Sequence, residues 1–165
     1  MRYLLVSLLA LALLAGCATG PRYETTGVAT ELSPAEVSAS AQVFQGSQVI
    51  WGGMIVATRN LADYTEIEVL GYPLESNQRP ATNRTPQGRF LVRTPGYLEQ
   101  VDYAPGRRIT VTGTLGENVQ GQVGEAAYTY PLVQARDTHL WPIDTPRTDS
   151  GPSTRFSIGV GVIFR

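Results

Sequence analysis

From Gln48 onward the apolar residues of this chain recur at every second position in short runs, and no long helical period follows Ala41. Such runs put alternate side chains on opposite faces of an extended strand. Arg107–Leu115 is the clearest case: Ile109, Val111 and Leu115 are expected inward, and Thr110, Thr112 and Thr114 outward. Thr65–Tyr72 sets Ile67 and Val69 against Glu66 and Glu68. Arg89–Thr94 places Phe90 and Val92 between Arg89, Leu91 and Arg93. Gln122–Val133 reads as one strand after a turn at Gly116–Gly121, with Tyr128 and Tyr130 sharing a side, and Thr138–Ile143 as a short edge segment around Trp141. Many short strands punctuated by turns point to an all-β sandwich or barrel.

The first strand sharpens this. Gln48–Thr58 is apolar on both faces but interrupted by Gly52-Gly53, a pattern that predicts a bulge or sharp bend. Two strands follow, then a turn or short helix at Gly96–Tyr103, then two more strands. That order suits a small OB-like Greek-key barrel with a short helix before it. Ser33, Pro34 and Glu36 supply the helix start, as N-cap, first-turn proline and capping-box acid, and the helix should run to about Ala41. The β-barrel domain is therefore expected over residues 33–143.

The N-terminus sets an address rather than a fold. A basic Met1-Arg2 precedes an apolar run and the small residues Ala15-Gly16, which are the parts of a secretory signal over residues 1–16. The run Tyr3–Gly16 is shorter than the roughly 20 residues a membrane span needs. Cys17, the single cysteine, stands directly after Leu14-Ala15-Gly16, which resembles a bacterial lipobox; lipidation is expected there. A single cysteine also excludes a disulfide within the chain. Residues 17–32, rich in small and breaker residues, read as the lipid anchor and a flexible tether. Residues 144–154 read as a linker. The C-terminal strand, residues 155–165, alternates Phe156, Ile158, Val160, Val162 and Phe164. It either closes its own sheet, the preferred reading, or pairs with a partner's sheet edge.

The ordered pieces resemble the Slp family, the starvation-inducible outer-membrane lipoproteins of gram-negative bacteria. They are Val49-Ile50-Trp51-Gly52-Gly53-Met54-Ile55, Thr65–Val69 before Tyr72-Pro73-Leu74, Gly88–Leu91, Gly96–Glu99, Ile109–Gly113, Tyr128 and Tyr130-Pro131, and Leu140-Trp141-Pro142. The resemblance implies an outer-membrane lipoprotein tied to starvation or envelope stress, and no catalytic residues. Ala18 and Thr19 follow the cysteine where an aspartate would hold an enteric lipoprotein in the inner membrane. The domain is thus expected at the outer membrane, facing the periplasm.

Candidate sites are few. The formal net charge of −1 gives no general attraction to nucleic acid. His139 is the only histidine and has no Gly-x-Ser-x-Gly elbow to serve, so it reads as a strand-edge residue beside Trp141. One histidine and one lipidated cysteine do not make an ordinary zinc site, and no metal or cofactor is expected. Glu66 and Glu68 have the spacing of a glycosidase pair, but a solvated strand face explains them better. Arg89, Arg93, Arg107, Tyr128, Tyr130 and Trp141 form the candidate binding face, since arginines with aromatics suit sugars or a protein surface. The expected role is non-enzymatic envelope maintenance, with the membrane and an envelope protein or glycan as partners. A scaffold pairing through the C-terminal strand is the alternative, and a cell-envelope hydrolase ranks third.

Overall fold

The computed structural model describes residues 22–143. The signal, Cys17, the linker 144–154 and the strand 155–165 lie outside the described residues. Two short helices, α1 (Pro34–Ala39) and α2 (Ala41–Phe44), precede seven strands. These are β1 (Gln48–Asn60), β2 (Tyr64–Tyr72), β3 (Arg89–Pro95), β4 (Arg108–Leu115), β5 (Val119–Val123), β6 (Ala126–Tyr130) and β7 (Leu132–Leu140). Five of them close a barrel in the order β1-β2-β3-β7-β4, while β5 and β6 form a separate hairpin. All barrel pairs are antiparallel except β3–β7, which is parallel.

Strand β1 makes closure workable by pairing on both sides. Gln48–Met54 face β4, and Gly52–Asn60 face β2. The glycines occupy the overlap, where the wall coils most tightly. A Cβ on Gly53 would run into the Leu70 carbonyl oxygen, and one on Gly52 would meet Leu74 Cδ2 at 2.7 Å. Their expected role as a bulge is corrected: the register shift falls between Ile55 and Ala57, and the glycines serve close approach instead.

Phe90, Val92, Ile67, Val69, Ile109 and Val111 fill the interior. Trp51 meets Phe90 edge to face at 5.2 Å. Each fully buried side chain of this size contributes about 1.5–3 kcal/mol. Val37 of α1 joins this core and plugs one end of the barrel. The capping box is present: Ser33 Oγ accepts from the Glu36 amide, and Glu36 accepts from the Ser33 amide. The helix stops at Ala39, earlier than expected, and a second short helix follows.

Two further expectations are corrected. Gln122–Val133 is not one strand, because Gly124 takes φ 61° and turns β5 into β6. Of the expected Thr138–Ile143 edge segment, Thr138–Leu140 end β7, a full member of the barrel, and Trp141–Ile143 follow the strand. Thr110 and Thr112 face away from the core as expected yet are buried: Thr110 Oγ1 donates to the Gln78 carbonyl at 2.8 Å, and Arg136 Nη2 donates to Thr112 Oγ1 at 3.3 Å. Of the turn or short helix expected over Gly96–Tyr103, the turn forms, at Gln100–Tyr103.

From Arg22 on, the stretch expected to be tether lies against the barrel. The Tyr23 amide donates to Gln78 Oε1 at 2.7 Å, and Gln78 Nε2 donates back to the Tyr23 carbonyl at 2.8 Å. Val28 forms a parallel bridge to Gln48, and Leu32 packs on the core. Paired amides and apolar burial outweigh the chain entropy that composition alone would suggest. Residues 22–32 thus form a strap along the wall.

Candidate binding face

The outer face of β2 and β3 carries a ladder of charges set by strand register. Arg59 on β1 lies opposite Glu66 on β2, and Glu66 lies opposite Arg93 on β3. Directly opposed residues stand close enough for side chains to pair. Arg59 Nη2 donates to Glu66 Oε1 at 2.6 Å, and Arg93 Nε donates to Glu66 Oε2 at 3.0 Å. One position further along this face, Arg89 Nη1 donates to Glu68 Oε1 at 2.6 Å. The expected solvated acidic face is therefore corrected: Glu66 is 7% exposed and has both oxygens engaged. The Arg93 guanidinium also sits 5.0 Å from the Tyr64 ring centroid, within cation–π range.

The β5–β6 hairpin stands over this ladder on its own small core of Leu91, Tyr130 and Leu132. Tyr128 and Tyr130 meet edge to face at 4.7 Å. The Arg89 amide donates to the Tyr128 hydroxyl at 2.9 Å. The Tyr130 hydroxyl lies 3.1 Å from Glu68 Oε1 and 3.0 Å from the Gln122 carbonyl. Burial first, then the Glu68 charge, pushes this hydroxyl above its ordinary titration range. Between hairpin and barrel lies a cleft of about 330 Å³, walled by Arg59, Glu66, Glu68, Leu91, Gln120 and Tyr130 among others.

The residues expected to form one face divide into two groups. Arg89, Arg93, Tyr128 and Tyr130 come together here. Arg107 and Trp141 sit at an end of the barrel instead, where Arg107 Nη2 donates to the Trp141 carbonyl at 3.3 Å. Trp141 is buried and its indole Nε1 donates to Thr110 Oγ1 at 2.9 Å, so it is a packing residue and not an open platform. Arg79 lies 5.7 Å over its ring.

His139 stacks edge to face on Trp141 at 4.7 Å. Burial holds its imidazole below the ordinary value, against the opposing pull of Asp137. The Tyr23 hydroxyl is pushed well above its usual range by burial and then by Asp137, although it makes no hydrogen bond among the described residues. No cluster of three or more His, Cys, Asp or Glu suited to a metal occurs among the described residues. Arg59 and Tyr64 were not expected at the site. The register of the β1–β2 hairpin brings Arg59 to Glu66, and the alternation within either strand does not give that register.

A closed all-β barrel with a charge-paired outer face and a hairpin over it defines a small β-barrel domain. Residues 14–158 match the outer membrane lipoprotein Slp family, and the chain belongs to it. The match reaches beyond the resemblance at Val49–Pro142 and takes in Cys17. Over 130 residues the chain is 28% identical to the uncharacterized lipoprotein YeaY of Escherichia coli, covering 78% of this chain and 67% of that one. It is 36% identical over 116 residues to an uncharacterized protein of Haemophilus influenzae, covering 70% of this chain and 60% of that one. With outer membrane protein Slp of Escherichia coli it shares 26% identity over 131 residues, 78% of this chain and 69% of that one. The protein is thus an outer-membrane lipoprotein.

Proposed function

We propose that the protein is a non-catalytic binding module, anchored at Cys17 with its barrel in the periplasm, that serves envelope maintenance under stress. Its ligand surface is the β2–β3 face beneath the β5–β6 hairpin, and its ligand is an envelope glycan or protein. The observation that carries this reading is the saturation of Glu66. A glycosidase acid must give a proton to its substrate, whereas both Glu66 oxygens are held by Arg59 and Arg93. The Arg59 guanidinium and the Tyr130 ring, with Glu68 and Gln120, present polar and aromatic edges to the cleft, which suits recognition. A photo-crosslinking residue at exposed Gln120 in intact cells should yield a defined adduct that the same probe at exposed Thr114 does not. Identical products from the two positions would overturn the proposal.

One observation favours the assembly reading as a second possibility. Every barrel strand already has two neighbours. A further strand finds an edge on the hairpin or along β7 beyond Gln134, where its pairing with β3 ends. Residues 155–165 would then pair outside the ring. Deleting Arg155–Arg165 should remove a partner while the barrel still folds; retention of every partner would exclude this reading.

A further inference from the structure

We infer that the end of the barrel opposite α1 rests on the bilayer that holds the anchor, through an apolar contact made by Val101 and Ile143 with Tyr97 and Leu61. The inference rests on lipidation at Cys17, as in the proposed function. Five large apolar side chains are prominently exposed among the described residues: Leu61 48%, Tyr97 66%, Val101 79%, Ile143 70% and Val43 76%. The first four share one end. Leu61 lies in the β1–β2 turn, Tyr97 and Val101 lie in the β3–β4 connection, and Ile143 follows β7. Strand direction places all three segments together, and the Gly96 amide donates to the Asp63 carbonyl across two of them at 3.3 Å. Val101, Pro105, Pro142 and Ile143 line one shallow depression there. Val43 sits at the other end, beside α1.

The described chain starts near the same end. Tyr23 is clamped to Gln78, the Gln78 carbonyl accepts from Thr110, and Thr110 accepts from Trp141, two residues before Ile143. The strap then runs away from this end, to the Val28–Gln48 bridge and α1. Cys17 precedes Arg22 by five residues. At up to ~3.6 Å each, they reach about 18 Å. A domain held that close to a bilayer presents this end to it. Exposed valine, isoleucine, leucine and tyrosine are residues that enter the interfacial layer. The two loops carry Arg107 against Asp63, Glu99 and Asp102. There is no net cationic attraction, so the contact is apolar and insensitive to salt and to anionic lipid.

The native chain offers a clean probe, because its one cysteine is the acylation site. A polarity-sensitive thiol fluorophore is placed at Val101→Cys, Ile143→Cys or Val43→Cys of the full lipidated chain. The chain is reconstituted in phosphatidylethanolamine–phosphatidylglycerol vesicles and compared with its Cys17→Ala form in buffer. Labels at 101 and 143 should shift to the blue on vesicles and be quenched by doxyl lipid, at low and high salt alike. The label at 43 should do neither. A chain that floats with the vesicles while all three labels stay wet overturns the docking alone. A chain that does not float overturns the anchor and the docking with it. Labels already dry in the Cys17→Ala form would show that residues 144–165 cover the patch instead. Labels dry only in native envelopes would show a protein there. Either result overturns the inference.

Discussion

The Trp51 indole Nε1 donates a 2.7 Å hydrogen bond to the Leu32 carbonyl, joining the strap to the wall of the barrel it crosses. The same ring packs edge to face on Phe90 in the core. One side chain therefore couples the anchor-proximal segment to the fold.

Trp51→Phe keeps most of the ring packing but strands the Leu32 carbonyl and leaves a small void. The expected loss is about 1–3 kcal/mol, read by urea unfolding. Limited proteolysis should also cut residues 22–32 faster. A variant with unchanged stability and cleavage would mean that the strap does not depend on this bond.

Glu66→Gln leaves Arg93 facing a neutral partner on a largely buried strand face. It should cost about 1–3 kcal/mol, because a group that loses its charged partner keeps its desolvation penalty. Arg59→Ala should cost at most about 0.5 kcal/mol, since Arg59 is 69% exposed and its pair is screened by water. Equal losses in the two variants would contradict the asymmetry of the ladder.

Two glycine-to-alanine changes should differ in kind. Gly53→Ala places a methyl group against the Leu70 carbonyl, between paired strands, and should destabilise by about 3 kcal/mol or more. Gly96→Ala has open space around it but keeps a φ of 80°, so only backbone strain of about 1 kcal/mol is expected. Thermal unfolding of the two variants reads the difference.

Stability should fall on mild acidification. Burial depresses the His139 imidazole below its ordinary 6.5. The unfolded chain therefore binds the proton first as pH drops, and folding stability declines below that value. His139→Gln should flatten this part of the stability–pH curve, as measured on the Cys17→Ala chain. Glu36 acts further down. The Ser33 hydroxyl and then the Ser33 amide lower its titration, so its contribution is present above the ordinary 4.5 and is lost as pH falls through the depressed value. An unchanged curve in the His139 variant would place the acid sensitivity elsewhere.

Local rules alone were enough to read several features from the residues. Alternation at Thr65–Tyr72 and Arg107–Leu115 placed Ile67, Val69, Ile109 and Val111 in the core, because a strand's period of two survives any arrangement of its neighbours. Ser33, Pro34 and Glu36 announced α1, because capping is settled within one turn. The ordered motifs from Val49 to Pro142 pointed to the family that residues 14–158 match.

Tertiary structure decided whatever depends on a distant partner. Thr110 looked outward by alternation, yet a loop from between β2 and β3 folds over it. Glu66 looked solvated, yet the pairing register sets it between Arg59 and Arg93. Arg107 and Trp141 looked like neighbours of Tyr128 and Tyr130, yet Arg107 precedes β4 and Trp141 follows β7, so the antiparallel β4–β7 pair puts them at the opposite end from the hairpin that joins these strands. Strap residues with no apolar period found their place only because Gln78 and Trp51 offered hydrogen-bonding partners. In each case the deciding contact joins separate elements, and its energy exists only once those elements have packed together.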